Sequence, residues 1–143
     1  MNLTEQQALE LGRRAVAVVP IERWPLWSVV YHEESESHGI LKQYHWRGGS
    51  FLYITDEHGS DWHTDGSGEG HMQEWLPALR TPAGLGSLLE LVREVWGDPG
   101  LVPLLLDELP SGDGRGWFVS GDCVGVEADT EAEALIAALE SAQ

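Results

Sequence analysis

Apolar positions recur at helical spacing in three stretches of this chain and alternate in several others. Ala8, Leu11, Ala15 and Val18 return every three or four residues, which predicts an amphipathic first helix. Thr4-Glu5-Gln6-Gln7 fits a capping box at its start, and Pro20 ends the run. Gly12 weakens this helix by up to ~1 kcal/mol relative to alanine. Leu85, Leu88, Leu89, Val92 and Trp96 form a second apolar stripe. It is opened by Thr81-Pro82 or by Ser87-x-x-Glu90, and Gly97 with Asp98-Pro99 closes it. A second capping box, Thr130-Glu131-Ala132-Glu133, precedes Leu135, Ala138, Leu139 and Ala142 and predicts a third helix.

Residues 26–32 alternate, with Trp27, Val29 and Tyr31 on one face of a strand. The polar stretch 33–39 reads as a turn. Residues 40–47 and 50–55 flank Gly48-Gly49, a two-residue hairpin signal. That loop would set Trp46 opposite Phe51 and Tyr44 opposite Tyr53, an aromatic ladder expected in the core. Residues 101–106 are continuously apolar, as in a strand buried on both faces, although Pro103 pulls them toward an edge. Residues 116–120 and 123–127 flank Gly121-Asp122, with Trp117, Val119, Val124 and Val126 on one face. The order predicts an α+β fold: a single domain over residues 1–143, an antiparallel or mixed sheet with about three helices on one face. Val29, Trp46, Leu88, Leu89, Val92, Trp96, Trp117, Val119, Val124 and Leu139 are the expected core.

Charge changes the picture more than composition does. The chain has 143 residues, 24 carboxylates and eight Lys or Arg, a net charge of −16. Six of those carboxylates and five of the bases fall in residues 1–55; eighteen carboxylates share residues 56–143 with only Arg80, Arg93 and Arg115. Such acidity argues against direct nucleic-acid binding and against an anionic membrane. It suits instead a basic protein partner. With Cys123 as the single cysteine, an intrachain disulfide or cysteine-based zinc site has no ligands. No leader-like start and no long apolar run is visible, so a cytoplasmic protein is expected.

Residues 56–74 hold six acids, no base, four glycines and three histidines, and read as a long loop or a short irregular strand around Trp62. Asp56, Glu57, Asp61, Asp65 and Glu69 are the candidate partner-binding carboxylates. Trp62 is a candidate anchor beside them, and Trp75 a further exposed aromatic. The same region offers His58, Asp61, His63, Asp65 and His71 as alternative metal ligands, since imidazole with carboxylate suits zinc, iron or manganese. Asp61-x-His63-x-Asp65-Gly66 resembles the start of a calcium-binding EF-hand loop, but its twelfth position would be Met72 in place of glutamate. No G-x-S-x-G nucleophile elbow and no P-loop lysine follow the glycine pairs, so no catalytic residue is assigned and no cofactor is expected.

Trp117-Phe118-Val119, a tight turn, Val124-Gly125-Val126 and then Ala128-Asp129-Thr130-x-x-Glu133-Ala134 form a hairpin followed by an alanine-rich capped helix. This unit, about a fifth of the chain, resembles the closing unit of phage ABA-sandwich domains and of HicB-type antitoxins. The resemblance implies an α+β fold and a mobile-element or toxin-control setting, and carries over no functional residue. The leading expectation is a non-enzymatic acidic binding or inhibitor protein, of immunity, antitoxin or anti-defence type, docking a basic surface, with nucleic-acid mimicry as a sharper form. The alternatives are a metal-dependent enzyme or metal sensor using residues 56–74, and an acidic structural or phage-related domain without catalytic role. Oligomeric state is left open.

Overall fold

The computed structural model describes residues 3–66 and 68–142. Three helices and eight strands follow in the order α1 (Glu5–Val18), β1 (Val29–His32), β2 (Ser37–Trp46), β3 (Gly49–Asp56), β4 (Asp61–His63), β5 (Leu76–Pro77), α2 (Pro82–Trp96), β6 (Val102–Leu106), β7 (Gly116–Ser120), β8 (Gly125–Ala128) and α3 (Glu131–Ser141). The architecture is α+β, and the strands divide into two antiparallel sheets, β4-β3-β2-β1-β5 and β6-β7-β8.

Local chemistry explains the helix ends. Thr4 accepts from the Gln7 N–H while Gln7 reaches back to the Thr4 N–H, satisfying two orphan donors of α1. Thr81 and Thr130 cap α2 and α3 through the N–H groups of Gly84 and Glu133. Gly97 ends α2 at φ 64°, a conformation that costs glycine nothing. The buried α3 lies against all three strands of the smaller sheet and against α1 and α2. Trp96 Nε1 donates to the Ala138 carbonyl at 2.9 Å, tying α2 to α3. Leu88, Leu91, Val92, Leu135, Ile136 and Leu139 join Val30, Leu41, Ile54 and Trp75 in one core cluster.

Both hairpins form, each with a register that differs from expectation. Arg47 (φ 49°) and Gly48 (φ 78°) make the first turn, so Tyr44 faces Phe51 and Trp46 faces Gly49. This register sets Leu41 against Ile54, both fully buried, whereas a Gly48-Gly49 turn would split that pair. The second turn takes four residues, 121–124, because Ser120 faces Gly125. Asp98 holds that turn by accepting from the Asp122 N–H at 2.9 Å.

Three core expectations are corrected. Trp46 is 61% exposed, because the β2–β3 ribbon outruns the core it grows from. In β1 the buried face is Val30 and His32, with Val29 only half-buried. His32 is buried there because its ring packs 4.7 Å from Trp62 and 5.1 Å from Trp75, and Nδ1 accepts from the Ser35 N–H. β6 is an edge strand with Leu104 and Leu105 exposed, so Pro103 outweighs the apolar run. Leu89, Trp96, Trp117 and Val124 are partly buried against the cluster, and Leu88, Val92, Val119 and Leu139 lie within it.

Candidate interaction surfaces

Residues 56–74 are more ordered than their composition suggests. After a turn at 57–60, β4 pairs Asp61, Trp62 and His63 with Thr55, Ile54 and Tyr53 of β3. That register turns Trp62 inward beside Ile54, and Trp62 and Trp75 meet edge-to-face at 5.5 Å. Both are buried, correcting the expectation of exposed anchors: large aromatics inside an acidic stretch complete the core. Trp75 Nε1 is buried without a hydrogen-bond partner among the described residues.

Asp56 also has an internal role. Its Oδ1 accepts from the His58 and Ser60 N–H groups, both at 2.9 Å, and its Oδ2 accepts from Trp62 Nε1 at 3.1 Å. Burial pushes this carboxyl up, but the bonds from Trp62, Ser60 and His58 outweigh it and hold it below its ordinary value. Glu57 accepts from the His38 N–H at 2.9 Å, tying the 57–60 turn to the start of β2. Asp61 accepts from Thr55 Oγ1 at 2.9 Å and stays exposed, as do Asp65 and Glu69.

The proposed metal ligands do not converge. His63 stacks on Tyr53 with ring centroids 5.9 Å apart, and its backbone bridges that of His71. His58 stands in the exposed turn. Among the described residues no group of three His, Cys, Asp or Glu side chains is placed to hold a metal ion.

Two features had no clear signal in the sequence. One is an open groove of about 840 Å³ whose lining includes Arg80, Arg115, Trp117 and the first turn of α3. Burial raises the Glu131 carboxyl there above its ordinary value. The other is the outer face of the larger sheet. Ile40, Tyr44 and Trp46 of β2 and Phe51 of β3 stand in solvent on it, and Trp27 is exposed beside it. Tyr44 and Phe51 stack at 5.3 Å, Lys42 Nζ lies 6.0 Å from the Trp27 ring, and Arg47 caps Trp46 at 5.5 Å. Residues 37–55 contain no carboxylate. The alternation did show that these aromatics share a face. That the described residues leave Tyr44, Trp46 and Phe51 uncovered is a property of the assembled fold.

Ion pairs relieve little of the acidity. Arg13 meets Glu33 at 2.5 Å, Arg14 meets Glu140 at 2.6 Å, and Arg115 is 4.0 Å from Asp107. Among the described residues no helix is long and apolar enough to cross a membrane. No protein-family model, curated protein or solved structure matches the chain.

Proposed function

We propose that this is a non-enzymatic binding protein that docks a basic surface of another protein through exposed carboxylates beside β4. The observation that carries the reading is the charge separation within the larger sheet. β2 and β3 up to Thr55 hold no acid, whereas Asp61, Asp65 and Glu69 follow in exposed positions at its β4 edge. A surface of one sign speeds and steers encounter with its opposite and adds little to fold stability. Asp56 and Trp62 drop out of the docking set because both are committed inside the molecule. The closing β7–β8–α3 unit has the hairpin-then-helix order of the antitoxin-type units that the sequence resembles, which supports an inhibitor setting in kind.

The test is capture from a lysate of the native host, comparing wild type with a triple amide variant, Asp61→Asn, Asp65→Asn and Glu69→Gln. The expected result is a basic protein held by wild type and lost by the variant, its association rate falling as salt rises past the ~8 Å Debye length of 0.15 M. Identical capture by both proteins, or a rate indifferent to salt, would sink the reading.

A further inference from the structure

We propose that the outer face of the β2–β3 ribbon is a two-fold interface between two copies of this chain. Two features, area and charge, point to a second copy, and a third, the backbone at Trp27, marks the same face.

The first is area. Trp27, Tyr44, Trp46 and Phe51 are 67%, 39%, 61% and 44% exposed. At about 150–250 Å² for each aromatic side chain, these fractions leave on the order of 300–500 Å² of aromatic surface in water. Ile40, with the aliphatic stems of Lys42 and Arg47, extends the same face toward the ~800 Å² per partner of a standard interface. A contiguous apolar patch of this scale is the kind that contact surfaces use.

The second is the distribution of charge along the strip. Successive turns of an antiparallel meander fall at opposite ends of the sheet. The 47–48 turn with Arg47 is at one end, and the 33–36 and 57–60 turns with Glu34, Glu36 and Glu57, beside the Arg13-paired Glu33, are at the other. Ten residues of β2 span about 30 Å between them. A strip that is cationic at one end and acidic at the other is complementary to itself under a two-fold axis across its middle. With that axis near Leu41 and Lys42, Arg47 of each copy lies over the 33–36 turn of the other. Sheet faces pack about 10 Å apart, and the aromatic side chains fill such a gap.

The third is backbone conformation. Trp27 holds φ at 71°, a region a bulky residue rarely adopts, and its N–H donates to the Leu41 carbonyl at 2.7 Å. Backbone strain of this kind gathers at functional positions. Here it presents a tryptophan to water instead of to the core.

The experiment is sedimentation equilibrium of the full chain at 0.15 M salt from about 1 to 100 µM, with circular dichroism to show that each variant is folded. The expected wild-type result is a species of twice the 15.8 kDa chain mass. Trp46→Ser with Phe51→Ser should raise the dimer dissociation constant at least about tenfold, because buried aromatic anchors carry much of the energy of such contacts. Arg47→Glu should weaken the dimer about three- to tenfold, and adding Glu34→Arg and Glu36→Arg in the same chain should restore it. A wild type that stays monomeric to 100 µM overturns the proposal. A dimer untouched by the aromatic substitutions, or an Arg47→Glu defect that the paired reversal leaves unchanged, overturns it equally.

Discussion

Asp56→Asn is the sharpest test of how the acidic stretch is built. The substitution keeps one oxygen for the His58 and Ser60 N–H groups but turns an NH₂ toward Trp62 Nε1, replacing an acceptor by a donor. Hydrogen bonds to a charged acceptor contribute about 1.5–3 kcal/mol, and partial solvent access lowers that here to about 1–2 kcal/mol. At roughly 3–4 °C per kcal/mol, the melting temperature should fall by about 3–8 °C at pH 7. The sign with pH follows from the folded carboxyl lying below its ordinary value of 3.8. Its contribution is present above the unfolded value and is lost as pH falls through the folded one. The gap between wild type and variant should therefore be constant near neutrality and close below about pH 4. Trp62→Phe removes the same bond from the other side, so the two substitutions together should cost about 1 kcal/mol less than their sum. Denaturant melts at several pH values measure all of this. Equal stability of Asp56→Asn and wild type at pH 7, or a gap unchanged to pH 3, would refute the reasoning. Lost partner capture at full stability would return Asp56 to the docking surface.

Two glycines in α2 should respond in opposite directions. A Cβ at Gly84 would collide with the Ala78 carbonyl, so Gly84→Ala should cost at least about 2 kcal/mol, whereas Gly86 faces open space and Gly86→Ala should add about 0.5–1 kcal/mol, both read from urea midpoints. Gly39→Ala would bring a Cβ within 2.8 Å of Ile54 Cγ2 and 3.0 Å of Trp75 Cζ3, and should lower the melting temperature and alter tryptophan fluorescence. Leu139→Ala, in the fully buried stripe of α3, should cost about 2–5 kcal/mol in the same urea melts.

Helix ends and the two hairpins were legible in the residues because they rest on local chemistry. A threonine cap, a terminal glycine or a proline acts within one turn of itself, and α1, α2 and α3 begin at Thr4, Thr81 and Thr130 for that reason. Alternation likewise showed that Tyr44, Trp46, Phe51 and Tyr53 share a face. It could not show which face of a strand receives a cover, since a period of two is symmetric between the sides and the cover comes from distant segments. Val30 and His32 took the buried side of β1 because Trp62 and Trp75 arrive there from residues 30 to 43 positions away. The same packing withdrew Trp62 and Asp56 from the docking set. Register was a tertiary decision too: opposing Leu41 to Ile54 outweighed the glycine pair that favours another turn. Sequence alone therefore determined the three helices, the hairpin strands and the lopsided charge, but not β5 or the division into two sheets. Only the assembled fold decided which aromatics were buried and which were left in water, because burial is a contact between segments that no local pattern contains.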